Sequence, residues 1–127
     1  MPLYRHELFT IDLTKVIAVY QNEDESTVTI RTDDQRKIDL GNTTPEAGAE
    51  LLNEIANQWE KAIGPLLRYG KHVFLTAAIY SIQVEGEDLF IYFRDHSVSF
   101  ALANAEQALA VLAELTARWQ TALGEKG

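Results

Sequence analysis

The side chains that could carry out metal or acid–base chemistry are few and scattered. The histidines His6, His72 and His96 show no His-x-x-x-His spacing, and no pattern of carboxylates surrounds them. They therefore lack the arrangement that a zinc site requires. His6 and His72 would meet only if each lies on the first strand of its half of the chain, which leaves a shared metal site there as the alternative. We predict no metal site and no catalytic residue.

Motifs for nucleophilic and nucleotide-dependent chemistry are also missing. The chain has no cysteine, which excludes thiolate nucleophiles and cysteine-ligated metals. It contains neither a phosphate-binding glycine loop nor a nucleophile elbow. Asp33 and Asp34 are adjacent in a predicted turn, where their carboxylates point apart rather than across a scissile bond. The sequence predicts a protein that is not an enzyme and binds no cofactor.

An excess of acid is the strongest signal in the composition. The 127 residues include 19 Asp and Glu against 11 Lys and Arg, a formal net charge of -8 at pH 7. Such a chain repels polyanions, and nucleic-acid binding normally begins with clustered basic side chains. Nucleic acid and anionic membranes are therefore disfavoured partners.

Several of these acidic residues are concentrated in two predicted turns in the first half of the chain. Their acidic residues are Glu23, Asp24, Glu25, Asp33 and Asp34. One interpretation is a solvated surface that aids solubility. The other is an acidic end that docks a basic protein partner or mimics nucleic-acid phosphate, and these five residues are the candidate docking site.

The absence of cysteine favours a reducing compartment, and nowhere do about 18 apolar residues run together as a membrane span requires. We expect a cytoplasmic protein without membrane association. The length fits one domain, residues 1–127.

The chain matches itself at a spacing of about 60 residues, the mark of a duplicated unit. Thr27–Asn42 aligns without a gap with Leu89–Asn104. The repeat predicts an α+β fold in which three or four antiparallel strands followed by a helix occur twice, in residues 1–64 and 71–124. Because about 60 residues bury little core alone, we expect two sheets and two helices about a pseudo-twofold axis.

Capping residues mark the predicted helices. Thr44-Pro45 begins the first helix, which ends at Gly64, and Asn104 with Gln107 forms a capping box for the second. Pro65–Gly70 is the predicted linker between the units. Trp59 and Trp119 align near the helix ends as paired core residues. The predicted strands are Tyr4–Leu13, Val16–Gln21, Thr27–Thr32, Arg36–Leu40, His72–Ala77, Ile79–Val84, Leu89–Arg94 and Val98–Leu102.

This twice-repeated order of strands and a helix is similar to that of the PC4-like and Whirly-type single-stranded DNA binders. The likeness is one of element order. No motif of either family is present, and the acidic balance departs from what their binding face needs.

The two halves differ most on one strand. In the first half Thr27, Thr29 and Arg31 form a predicted solvated face, whereas Leu89, Ile91 and Phe93 align with them in the second half, with Phe90 and Tyr92 assigned to the core. A strand that is apolar on both faces must be covered on both. The cover is the sister unit, a second copy of the chain, or a ligand or partner.

We therefore predict a non-enzymatic, homodimerising protein–protein interaction module whose candidate interface is Leu89, Ile91 and Phe93. The alternative is a single-stranded nucleic-acid binder, which needs basic and aromatic side chains on one sheet face. A small-molecule enzyme or sensor with a pocket between the sheets is the third reading.

Overall fold

In the computed structural model, the described residues form an α+β fold of ten strands in three sheets and two α-helices. It forms two compact units, Met1–Leu75 and Thr76–Gly127, each with one helix. The residues that the structure describes are 3–22, 26–34, 36–42, 44–94 and 97–124.

The first unit contains seven strands and one long helix. Its elements are β1 (Leu3–Arg5), β2 (Thr10–Asp12), a 3-10 turn (Leu13–Lys15), β3 (Val16–Gln21), β4 (Thr27–Thr32), β5 (Lys37–Gly41), α1 (Pro45–Ile63), β6 (Leu66–Tyr69) and β7 (His72–Leu75). β1 pairs with β2. The other five strands form an antiparallel sheet in the order β5-β4-β3-β7-β6.

Helix α1 begins and ends where its sequence predicts. Thr44 Oγ1 accepts a hydrogen bond from the Ala47 N–H at 3.1 Å, and Pro45 stands at the first helical position, where a missing N–H costs nothing. The helix ends before Gly64, whose φ of 121° favours glycine.

The core of the first unit lies between α1 and one face of the five-stranded sheet. Ile55 and Trp59 of α1 are fully buried, as are Val19 of β3 and Ile30 of β4. Val19 is the cross-strand partner of Ile30, so both point to the face that α1 covers.

Polar contacts join α1 to two flanking strands. The Tyr4 hydroxyl of β1 donates to Glu54 at 3.3 Å, and burial, reinforced by that carboxylate, raises the pKa of Tyr4 to about 12. Arg68 of β6 donates to Asn57 at 3.2 Å and to Glu60 at 3.5 Å. Helix α1 thus contacts two strands, β1 and β6, that are distant from each other in sequence.

Two predictions about the strands are wrong. The strand predicted over Tyr4–Leu13 is broken by a turn closed by the His6 N–H on the Phe9 carbonyl at 2.8 Å. The linker predicted at Pro65–Gly70 is β6, which a two-residue turn at Gly70 joins to β7. Gly70 has a φ of 57°, as a tight hairpin requires. Because β7 pairs with β3, this hairpin belongs to the first unit.

The second unit is a three-stranded antiparallel sheet with one helix against it. Its elements are a 3-10 turn (Thr76–Ala78), β8 (Ser81–Glu85), β9 (Asp88–Tyr92), β10 (Ser97–Ala101) and α2 (Ala105–Ala122). The sheet order is β10-β9-β8, and α2 contacts β8 and β9. Neither helix of the described chain is both long and apolar enough to span a membrane.

The N-cap predicted at Asn104 for α2 is present, but the reciprocal bond of the predicted capping box is not made to Asn104 itself. Asn104 Oδ1 accepts the Gln107 N–H at 2.8 Å, and Gln107 Oε1 accepts the Ala103 N–H at 3.1 Å. The return bond is therefore one residue before the cap, and both bonds pair backbone donors that the helix cannot satisfy itself.

The two aligned tryptophans have different surroundings. Trp59 is fully buried, and its Nε1 has no hydrogen-bond partner among the described residues. Trp119 is half-buried, and its Nε1 donates to the Thr76 carbonyl at 3.1 Å. Matched positions in the sequence do not give matched contacts here.

We expect Asn104→Ala to lower the free energy of unfolding by about 1 kcal/mol, because the variant loses the α2 cap. Urea denaturation followed by circular dichroism measures this loss. Asn53→Ala, at an exposed position inside α1, is the control and should be neutral or slightly stabilising, since alanine is the better helix former. Equal losses in both variants would contradict the capping role.

Candidate functional site

The residues predicted to form the interface are buried within the chain. Leu89 and Ile91 have no exposed surface, and Phe93 keeps 5%. They are not an accessible surface for a second copy to bind. The sequence left cover by the sister unit open as one interpretation, but the helix that contacts β9 is α2 of the same unit.

Neighbouring strands show which face of this sheet is core. One face carries only apolar side chains: Ile82, Val84, Leu89, Ile91, Val98 and Phe100. Since α2 contacts β8 and β9 and buries Ala108 and Leu115, this face lies beneath the helix. Phe90 and Tyr92, which the sequence analysis assigned to the core, are on the opposite face, half-buried and stacked at 5.9 Å. That assignment is wrong.

The pattern of β10 carries the signal that would have corrected it. Every residue of Leu89–Phe93 is apolar, so alternation within β9 cannot choose a face. Ser97-Val98-Ser99-Phe100 alternates strictly. An antiparallel partner whose apolar residues are Val98 and Phe100 selects Leu89 and Ile91 as the inward pair.

Strand β10 lies at an edge and pairs only with β9 among the described strands. The Leu102 N–H donates to the Glu87 carbonyl at 2.9 Å. In an antiparallel ladder such bonded pairs alternate with non-bonded ones, so the adjacent pair Ala101–Asp88 is non-bonded. The residues of β10 that turn their N–H and C=O groups away from β9 are therefore Ser97, Ser99 and Ala101.

The predicted acidic docking residues are only partly within the described chain. Outside it lie Glu23, Asp24 and Glu25. Asp33 and Asp34 form the exposed turn after β4. Asp34 accepts a hydrogen bond from the Thr32 hydroxyl and pairs with Arg36 at 3.0 Å. The Thr32 hydroxyl, with Arg36 contributing less, holds the pKa of Asp34 below its ordinary value.

A cleft of about 620 Å³ opens beside this turn. It is lined by Thr10, Ile11, Lys15, Thr32, Asp33, Asp34, Arg36, Lys37 and Ile38. Three cations outnumber two carboxylates, so the described part of this turn is not an acidic surface. Docking of a basic partner stays a prediction.

The two described histidines, His6 and His72, have different surroundings. His6 stacks on Phe9 at 5.1 Å, whereas His72 lies on β7 and stacks between Tyr20 at 5.1 Å and Phe74 at 5.8 Å. His96 is outside the described residues. Within residues 3–22, 26–34, 36–42, 44–94 and 97–124 no three His, Cys, Asp or Glu side chains are grouped to hold a metal ion.

His72 belongs to a row that crosses the sheet on the face opposite α1. The cross-strand partners in this row are Tyr69, His72, Tyr20, Thr29 and Asp39. The Thr29 hydroxyl donates to Asp39 at 2.6 Å. Burial lowers the pKa of His72 to about 4, so its imidazole is neutral at pH 7. The row is then a neutral aromatic stripe that ends in one carboxylate.

The solvated face predicted for β4 is also wrong. Thr29 is 1% exposed and accepts a hydrogen bond from Asn22 Nδ2 at 2.6 Å. Thr27 and Arg31 are half-buried. The Arg31 Nε is buried without a hydrogen-bond partner in the described chain. A threonine-rich strand is polar in sequence, but the buried Thr29 hydroxyl is paired with Asn22 and Asp39 and does not face solvent.

Comparison of the chain with protein-family models, with curated proteins and with solved structures gave no match.

We expect Ile91→Asp to lower the free energy of unfolding by about 4 kcal/mol or more, because it places an unpaired carboxylate beneath α2. Urea denaturation followed by circular dichroism measures the loss. Gln83→Asp, exposed on the opposite face of the same sheet, should change stability by about 0.5 kcal/mol at most. A stable, folded Ile91→Asp protein would contradict the burial of this side chain.

The lowered pKa of His72 makes stability depend on pH. The unfolded imidazole titrates near its ordinary value of 6.5 and the folded one near 4, so the unfolded state binds more protons between these values. The contribution of neutral His72 to the free energy of unfolding is therefore fully present above about pH 6.5 and decreases as the pH falls towards 4. The shift is worth at most about 3 kcal/mol, and we expect about 2 because the side chain is partly exposed.

His72→Phe keeps a ring against Tyr20 and Phe74 but cannot titrate. The free energy of unfolding is measured by urea titration at pH 7.0, 6.0, 5.0 and 4.5 (about half-unit to unit steps across the window). It should fall less steeply with decreasing pH for the variant than for the native chain. The difference in slope should correspond to the uptake of about one proton on unfolding. Parallel curves for the two proteins would mean that His72 is not held neutral.

Proposed function

We propose that this chain is a non-enzymatic protein–protein interaction module that forms a homodimer through the edge strand β10. One observation carries the proposal: Ser97, Ser99 and Ala101 turn backbone N–H and C=O groups outward on a strand without charged side chains. Strand addition at such an edge is a common mode of protein recognition. The proposed interface replaces Leu89, Ile91 and Phe93.

The other edges of the two larger sheets carry charged residues. Lys37 and Asp39 stand on β5, Arg68 on β6 and Glu85 on β8. Charged side chains on an edge discourage pairing with another chain. β10, with the sequence SVSFA, is the edge of the described sheets that lacks this protection.

The side chains of β10 suit pairing with its own copy. Ser97, Ser99 and Ala101 are small and exposed, and Val98 and Phe100 are half-buried on the face beneath α2. An antiparallel β10–β10 contact about a twofold axis near Ser99 would join two three-stranded sheets. It would extend the apolar face of each by the Val98 and Phe100 of the other, as an isologous interface requires.

We further propose that the chain is a duplication. The element order supports it: two strands, a 3-10 turn, three strands and a helix run from β1 to α1 and again from β6 to α2. The helix-facing pair Val28 and Ile30 of β4 corresponds to Leu89 and Ile91 of β9. The gapless sequence alignment is therefore one residue out over β9. A pseudo-twofold relation between the halves is part of this proposal.

The alternative function is the binding of single-stranded nucleic acid. Tyr69, His72 and Tyr20 form an aromatic row on one sheet face, and stacking on aromatic rings is how such proteins hold bases. On the same face, however, Phe74 is fully buried and Thr29 is 1% exposed, so the face is not an open platform. We expect no binding of a labelled oligonucleotide even at low salt.

Ser99→Pro tests the dimer. The Ser99 N–H points away from β9, so proline removes no ladder bond to β9 but deletes a donor from the proposed interface on both copies. We expect the dimer to weaken by about 100-fold, the equivalent of two hydrogen bonds. Sedimentation equilibrium at tens of micromolar protein, which is roughly the concentration at which a dimer of micromolar Kd is mostly assembled, should show a dimer for the native chain and a monomer for the variant.

Ser99→Ala is the matched control, because it removes the hydroxyl and keeps the N–H. It should sediment as the native chain does. A native chain that is monomeric at these concentrations, or a Ser99→Pro protein that stays dimeric, refutes the proposed interface. Unchanged circular dichroism of both variants excludes unfolding as the cause.

A further inference from the structure

Two cations stand opposite each other on the first unit's sheet without a counter-ion among the described residues. Arg31 of β4 and Lys37 of β5 are direct cross-strand partners on the face opposite α1. Neither side chain has a hydrogen-bond or ion-pair partner in the described part of the chain, and the Arg31 Nε is buried. Like charges at directly opposed positions repel, and a buried unpaired donor is costly. The pair therefore destabilises the sheet unless something else neutralises it.

The carboxylate that could pair with them is engaged elsewhere. Asp39 is two residues from Lys37 on the same strand and the same face. Its Oδ1 accepts the Thr29 hydroxyl at 2.6 Å, and Thr29 in turn accepts from Asn22. No ion pair joins Asp39 to Arg31 or Lys37 within the described residues. An unpaired pair of cations is unexpected in a chain of net charge -8.

We propose that Arg31 and Lys37 form a binding site for a phosphoryl group. Side chains on directly opposed strand positions start about 5 Å apart, so the two long side chains can converge on one anion. A guanidinium offers a planar fork of donors and an ammonium a compact charge, both suited to phosphate oxygens. A phosphoryl dianion matches two cations, whereas one carboxylate would leave a positive charge uncompensated. The site is on a different unit from β10 and does not depend on the dimer.

Thermal unfolding of the native chain in inorganic phosphate tests the site. We expect the unfolding midpoint to rise with phosphate concentration when compared with sodium chloride at equal ionic strength. Arg31→Met and Lys37→Met should each weaken the apparent phosphate affinity about tenfold or more. Arg36→Met is the matched control, since Arg36 pairs with Asp34, and it should keep the native response.

The stability of Arg31→Met without phosphate separates a binding role from a structural one. Because the variant loses an unpaired buried donor and a like-charge contact, it should be at least as stable as the native chain in chloride. A loss of stability that is equal in chloride and in phosphate would make Arg31 a structural residue and overturn the proposal. An identical response of the native chain to phosphate and chloride would overturn it too.

The source of the phosphoryl group is distinguished by isothermal titration with a nucleoside monophosphate and with a single-stranded oligonucleotide. Saturation by the mononucleotide at the lower concentration assigns a small phosphate ester. Tighter binding of the oligonucleotide, lost in Arg31→Met and steeply weakened by salt, would assign nucleic acid and would contradict the expectation above that the chain binds no oligonucleotide. Failure of both ligands and of inorganic phosphate to give heat or a midpoint shift refutes the site.

Discussion

The outermost strand of an antiparallel sheet can satisfy only one side of its backbone, and in this chain that constraint falls on β10 without the usual protection. The bond from Leu102 to Glu87 fixes the phase of the ladder, and thereby which three residues turn their backbone groups outward. The proposed dimer depends on this phase. It does not depend on Leu89 and Ile91 of β9, because these two side chains are already covered inside the chain.

The positions of several positive charges in this acidic chain also follow from strand pairing. The β4–β5 register sets Arg31 against Lys37, while Asp39, a step away, is held by Thr29. The turn between the same strands gathers Lys15, Arg36 and Lys37 around its two aspartates. A net charge taken over the whole sequence therefore misrepresents this end of the sheet, where cations outnumber carboxylates among the described residues that line the cleft.

Local signals in the sequence predicted the helices well, because caps act over three or four residues. Thr44-Pro45 and Asn104-Gln107 give the helix starts that the structure has. Which face of a strand is buried is a different problem, because it depends on a partner strand that can be far away in sequence. For Leu89–Phe93 the strand itself is uninformative, and the alternation of β10 resolves it only once their pairing is known.

The hairpin of β6 and β7 shows the same limit of local reasoning. A proline after a helix and a glycine five residues later are typical of a linker, but Leu66, Leu67 and Tyr69 between them are strand residues that pair with β7. What makes them a strand is the free side of β3, against which β7 lies. No pattern within Pro65–Gly70 encodes that edge.

Residue-resolved amide hydrogen exchange as a function of protein concentration tests the dimer account most directly. The account predicts that the outward amides of Ser97, Ser99 and Ala101 become slow to exchange as concentration rises. The Asp39 amide, which turns outward on the charged edge β5 by the same ladder rule, should stay fast throughout. Outward β10 amides that exchange as fast as that of Asp39 at every concentration would contradict the account.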